Sequence, residues 1–389
     1  MKNRFLVSLL FVLLLAVVVA GSFVSSKLWT PKVKKIEPVK SIVINDSMTI
    51  GQIGAVNHLN KKILKSVFGI KDEKGFKEKF VNVGIPKEVA INRIKVKMAL
   101  MAENKTKNWT KIKIKFILWI LVLLTMFFLL RSGRVRRNNR KLIYLGVVIL
   151  FGVILGSEPG PMGPIKDSIV LFGEYKTLFL PRLISLLIML LLVVLANKFI
   201  CSWGCQFGTL QDLIFRLNED NKGKPVFKRF KVPFAVSNSI RVIFFIIFTV
   251  IALNWAFDII SPINPFKIFS PALFGIVGIV FVAFILVLSL FVYRPWCHFF
   301  CPFGLIGWLF EKISIFKIKV NYDKCIACGL CEKSCPSNAM KAILRGKKII
   351  PDCFSCGSCI ESCPTKAITF SAGIRKSPPK GKFDKLDNR

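Results

Sequence analysis

Apolar residues gather into six long runs separated by polar connections: residues 5–26, 112–130, 142–157, 178–200, 240–257 and 272–293. A bilayer core of ~30 Å asks for ~20 consecutive apolar residues in a helix, so the six runs predict transmembrane helices. The shorter ones lean on their flanks. Lys111, Lys113 and Lys115 edge the second run and Arg241 edges the fifth, where long basic side chains can extend toward the interface. The length of the first run, which follows Lys2 and Arg4, fits a retained anchor, while Val18-Val19-Ala20 also suits a cleaved signal peptide.

Residues 27–111 carry a different pattern. Thr49-Ile50-Gly51-Gln52 fits a capping box, Asn60 can cap the KKILKSVFG stretch, and Pro86 suits the first turn of EVAINRIKVKMAL. The segment reads as a small helical domain, a docking or spacer module. It has no cysteine and no Ser-Gly-Ala-Thr type of sequence for covalent flavin attachment.

Basic residues orient the runs, because cytoplasmic connections are enriched in Lys and Arg. Residues 2–4, 131–141 and 198–231 carry two, six and seven, against three (Lys166, Lys176 and Lys267) in the loops 158–177 and 258–271. Both termini are therefore expected in the cytoplasm and residues 27–111 on the outer face. Over the 389 residues, a 53% hydrophobic content and a mean hydropathy of +0.56 argue against an ordinary soluble enzyme. The net charge of +37 sits beside apolar runs, where it meets anionic lipid, and no nucleic-acid motif accompanies it. His58 and His298 are the two histidines and neither lies in a span, which leaves no pair of axial ligands for a membrane haem.

The twelve cysteines fall into four groups. Cys201-Ser-Trp-Gly-Cys205-Gln-Phe-Gly208 matches Cys297-His-Phe-Phe-Cys301-Pro-Phe-Gly304 at an offset of 96 residues, each after a Pro-rich outer loop and an inbound helix. The repeat predicts two parallel hairpins related by duplication, each ending in C-x3-C at the cytoplasmic interface. On a helix the two sulfurs of a C-x3-C pair share one face. Four such thiols could ligate a metal or an iron–sulfur cluster, act as a dithiol relay, or simply pack between helices.

The other eight cysteines form two runs of C-x2-C-x2-C-x3-C-P, Cys325 to Pro336 and Cys353 to Pro364. In this pattern three close thiolates hold a [4Fe-4S] cluster and the fourth cysteine crosses to the other cluster. The expected sets are Cys325, Cys328, Cys331 and Cys363 for one, and Cys353, Cys356, Cys359 and Cys335 for the other. Gly329 and Gly357 let the backbone fold closely around each cluster. Zinc sites more often use two pairs of cysteines than two full runs of four.

The stretch Tyr293-Arg-Pro-Trp-Cys297-His-Phe-Phe-Cys301-Pro-Phe-Gly304 running into Cys325 to Pro364 resembles the polytopic ferredoxins of the NapH, MauN and NosR type, and less closely the copper-handling CcoG type. The resemblance covers about residues 142–370, with Gln206 standing where proline is usual. It implies electron transfer between a quinone pool and redox partners.

The expected fold is mainly α: a polytopic helical membrane protein with a duplicated hairpin unit and a small C-terminal α+β bacterial-type ferredoxin domain. Its divisions are an anchor at 1–26, the outer domain at 27–111, a helix and basic loop at 112–141, hairpin repeats at 142–208 and 240–304 joined by the basic loop 209–239, the ferredoxin domain at 305–370 and a basic tail at 371–389. The expected partners are membrane lipid, a quinone or membrane redox subunit, and a cytoplasmic electron-transfer partner, with electrons flowing in either direction. Supply of electrons to metal maturation and redox sensing are the alternatives. Arg182 and Asp258, at the outer ends of spans, are read as interface anchors that could also touch a quinone head group.

Overall fold

Uniformly apolar sequence makes long helices here only where nothing interrupts it. The computed structural model describes residues 2–29, 42–70, 72–106, 108–176, 178–220 and 223–386. Residues 30–41 of the expected outer domain and 387–389 of the basic tail lie outside the described residues. The chain divides into two compact units, one of residues 1–29, 110–173 and 178–389, the other of residues 30–109 and 174–177.

The smaller unit is helical. Thr49 Oγ1 accepts from Gln52 N at 3.3 Å and Gln52 Oε1 from Thr49 N at 2.9 Å, closing a capping box on Ile50–Val56. Asn60 Oδ1 accepts from Lys62 N at 3.2 Å to start Lys61–Phe68, which ends on left-handed Gly69. Pro86 sits just before the Lys87–Thr106 helix, and its carbonyl accepts from Ala90 N at 3.0 Å. Ile44, Ile53, Leu64, Phe80 and Ile94 fill the core.

In the larger unit three helices are long and apolar enough to cross a membrane: Asn3–Lys27, Trp109–Arg131 and Phe234–Trp255. They match the first, second and fifth apolar runs. The other three runs give shorter elements, so six full spans are not present as continuous helices. The fourth stops at Leu180–Ala196 because Asn197 takes a left-handed φ of 63°, and the sixth shrinks to Ile276–Leu288 between Gly275 and a turn at Ser289. The third becomes Arg137–Val147 followed by a π-helical turn, Val148–Ile154, whose Tyr144, Val148 and Phe151 are buried in protein.

Two basic residues expected to reach the interface instead point inward. Lys115 is fully buried and donates to Gly156 O at 2.8 Å, with its ammonium over the Trp119 ring. Arg241 is also buried and meets Asp352 from the ferredoxin domain at 3.2 Å.

The C-x3-C motifs do not lie on continuous helices. Cys201 belongs to the short helix Phe199–Trp203 and Cys205 caps the next, Gln206–Leu217; Cys297 belongs to Pro295–Phe299 and Cys301 caps Pro302–Phe310. In each copy a new helix starts at the second cysteine. Residues 199–216 are buried throughout.

The ferredoxin domain is framed by two antiparallel strands, β1 (Phe316–Val320) and β2 (Ile368–Ala372), in register Phe316↔Ala372 to Val320↔Ile368. Phe127 of the Trp109–Arg131 helix packs edge-on against Phe316 at 4.9 Å and Phe370 at 5.7 Å, and Phe199 stacks on Phe370. These rings seat the domain at the Arg131 end of that helix.

Candidate metal centres

The two cysteine runs adopt the same backbone. Ala327 and Ser355, Gly329 and Gly357, and Asn338 and Lys366 all have positive φ at matching positions of the two runs. The left-handed glycines open the short helices Leu330–Ser334 and Ser358–Glu361, turning Cys331 and Cys359 inward.

The result is two cysteine-lined cavities. Cys325, Cys328, Cys331 and Cys363 line one, with Val320, Ile368 and Phe383; Cys335, Cys353, Cys356 and Cys359 line the other, with Tyr293 and Phe354. The grouping is that of the crossed sets read from the motif. Neither lining contains a carboxylate or imidazole, so thiols are the available ligands.

Burial, then the neighbouring thiols of its own set, pushes Cys331 up to about 12, and burial pushes Cys353 to about 12 as well. Binding iron here releases protons, as thiolate ligation requires. Backbone N–H groups aim at the sulfurs: Ala367 N donates to Cys363 Sγ at 3.2 Å, and Met340 and Ser337 donate to Cys335. Among the described residues, no three Cys, His, Asp or Glu side chains gather tightly enough to chelate one ion.

The cavities differ in depth. Cys335, Cys353 and Cys359 are buried, whereas Cys325, Cys328 and Cys363 are partly exposed, beside the exposed Ile326 and Leu330. The buried cavity faces the membrane core through Tyr293 and Phe354, whose rings are 5.8 Å apart, and Arg294 lies 4.6 Å over Phe354 while donating to Cys201 O at 2.7 Å.

Cys201, Cys205, Cys297 and Cys301 converge. All four are buried, and each lies within electrostatic reach of the other three. The two capping sulfurs behave alike: Gly208 N donates to Cys205 Sγ and Gly304 N to Cys301 Sγ, both at 3.4 Å.

Two buried carboxylates stand between this group and the ferredoxin domain. Asp212 accepts from Arg216 Nε at 2.7 Å, Arg294 Nη2 at 2.7 Å and Tyr293 Oη at 2.8 Å. Asp352, next to Cys353, is bonded to Lys198 Nζ and Arg241 Nη1, with His298 Nε2 at 3.6 Å. Burial alone raises both acids, but the cations outweigh it, holding Asp212 down at about 2 and Asp352 well below the carboxylate range. Lys198 and Arg294 each precede the first cysteine of a C-x3-C by three residues, and each reaches across to the other copy: Lys198 to Gly304 O at 2.7 Å, Arg294 to Cys201 O. Sequence reasoning missed these clamps, although the matched basic residue before each motif was visible in the repeat. At the other end, Asp258 pairs with Lys166 at 2.5 Å and Arg182 with Asp167 at 3.4 Å.

Two family models match the chain, each described as a 4Fe-4S binding domain. One covers residues 318–341; the other matches twice, over 178–225 and 274–321, in the register of the internal repeat. Among curated relatives, the chain is 28% identical over 183 residues to Escherichia coli YccM, a protein named for electron transport, covering 44% of this chain and 50% of that one. It is 26% identical over 204 residues to the uncharacterised Methanocaldococcus jannaschii protein MJ0749, covering 52% of this chain and 73% of that protein, and 27% identical over 166 residues to MJ0750, covering 39% and 64%. The chain thus spans half the length of YccM. No solved structure matches. Together with the cysteine sets, these likenesses support an iron–sulfur protein with 4Fe-4S binding segments.

Proposed function

We propose that this chain is a membrane-bound one-electron carrier of the NapH-like kind. It links a quinone pool or a membrane redox subunit to a cytoplasmic redox partner. Cys325, Cys328, Cys331 and Cys363 hold one [4Fe-4S] cluster, and Cys335, Cys353, Cys356 and Cys359 hold the other. When bound, such clusters supply reversible one-electron chemistry over a wide range of potentials.

The observation that carries this reading is the pair of four-cysteine cavities, one buried against Tyr293 and Phe354 and one near the surface. The chain's own residues do the rest. Backbone N–H groups tune the sulfurs, Tyr293, Arg294 and Phe354 bridge the buried cavity to the C-x3-C core, and Asp212 and Asp352 fix the cations that line the bridge. The set of Cys353 is then the inner station and the set of Cys325 the outer one, from which a cytoplasmic partner exchanges electrons. The basic loops at 131–141 and 198–231 favour a cytoplasmic ferredoxin domain, with lipid head groups meeting their Lys and Arg and residues 27–111 on the outer face.

The test is anaerobic mixing of the full chain in nanodiscs with a quinol. Quinol-dependent bleaching of the visible cluster absorbance is expected. Reduction of Cu(II) without any response to quinol would instead favour a metal-maturation reductase and sink this reading.

A further inference from the structure

We propose that Cys201, Cys205, Cys297 and Cys301 together hold a third iron–sulfur cluster, shared between the two copies of the duplicated unit and placed near the middle of the bilayer. This deepens the electron-carrier reading by giving the membrane half of the path a centre of its own. Its binding claim stands whether or not a quinol is the donor.

Depth comes from two independent helices. Trp119 Nε1 donates to Gly204 O at 2.9 Å, and Trp119 is ten residues from Trp109 and twelve from Arg131, or about 15 and 18 Å along the axis. Phe300, the residue matching Gly204 in the second copy, packs edge-on against Phe244 at 5.3 Å. Phe244 is ten residues from Phe234 and eleven from Trp255, again about 15 Å from either end. Both turns before the second cysteines therefore sit level with the centres of long apolar helices. The proposed centre is then deeper than the cytoplasmic interface, and Gln206 donates to Ser157 O at 3.0 Å near the end of the π-helical segment.

Charge supplies the second argument. Lys115, Lys198, Arg216, Arg241 and Arg294 are all buried around the thiols and the bridge to the ferredoxin domain, and they share two buried carboxylates, Asp212 and Asp352. Lys115 donates to Gly156 O at 2.8 Å, and both Cys205 and the Glu158 carboxylate lie within its electrostatic reach. Uncompensated buried cations cost several kcal/mol each, so this surplus calls for an anion. Four thiolates around a [4Fe-4S] core carry a net charge of about −2. A pair of disulfides or four neutral thiols supply none.

Local donors agree with an electron-rich ligand. The Gly208 and Gly304 amides already point at Cys205 and Cys301, and the Trp296 indole N–H, buried beside Cys297, has no acceptor among the described residues.

The test is the iron and acid-labile sulfide content of the anaerobically purified full chain. About twelve irons per chain, with matching sulfide, are expected for three clusters. The double variant Cys201→Ser, Cys297→Ser should fall to about eight and keep the ferredoxin-domain signals. About eight irons in the unchanged chain overturns the proposal, as does extra metal without sulfide. A double variant well below eight would also overturn it, because the membrane thiols would then not be a separate site. Lys115→Met, which leaves every thiol in place, should lower the midpoint potential of the extra centre alone. An unchanged potential there removes the charge argument.

Discussion

Asp352→Asn removes one negative charge from beside two buried cations. The carboxylate is fully buried and is bonded to Lys198 and Arg241, and Asn keeps its shape while leaving Glu311, whose carboxyl burial keeps protonated, as the acid near Lys198. Breaking a buried pair by deleting one partner costs about 3–5 kcal/mol, roughly a hundredfold to a few thousandfold in the folding equilibrium. Urea unfolding in detergent micelles, followed by fluorescence of the buried Trp203 and Trp296, reads this loss. The control is Asp323→Asn at an exposed position, for which about 0.5 kcal/mol or less is expected. Asp352 also precedes Cys353, so its loss should raise the potential of the inner cluster and leave the outer one unchanged. If Asp352→Asn unfolds no more readily than Asp323→Asn, the carboxylate does not clamp the membrane core to the ferredoxin domain.

Further outcomes follow from buried groups elsewhere. Burial pushes Glu311 up to about 8 despite Lys198, so the native state holds its proton more tightly than the unfolded chain. Its stabilising contribution is full below about pH 4.5 and is lost as pH rises through 8; Glu311→Gln should flatten that decline and leave the protein on the order of 2–4 kcal/mol more stable at pH 9, measured by the same urea titration. At Gly173 a methyl group would meet Ala252 O at 1.9 Å, a backbone clash no rotamer relieves, so Gly173→Ala should cost more than about 3 kcal/mol. Gly84→Ala, with a positive φ but open space around it, should cost only about 1 kcal/mol; equal costs would contradict the close helix crossing.

How much could be read from the chain differs from element to element, for physical reasons. Three long helices were legible because Asn3–Lys27, Trp109–Arg131 and Phe234–Trp255 are apolar without a break. The shortened ones were not, because the fourth run ends at a left-handed Asn197 whose polar Asn197-Lys198 step the apolar residues on either side outweigh. The grouping of eight cysteines into two cavities was legible because a cluster forces its ligands into tight local spacing. The break in each C-x3-C motif was hidden by the assumption of a continuous helix, whereas Cys205 and Cys301 are N-caps at which a new helix starts. The clamps at Asp212 and Asp352 join residues 82 and 154 positions apart, and such pairing has no local signature.

Electron transfer through the two ferredoxin-domain clusters is tested most directly by anaerobic reduction of the full chain in nanodiscs, followed by electron paramagnetic resonance. Two interacting reduced [4Fe-4S] signals are predicted, with Cys359→Ser abolishing the inner one and Cys328→Ser the outer one. A chain that stays silent on reduction, with zinc bound at the eight cysteines instead of iron, would contradict the assignment at its root.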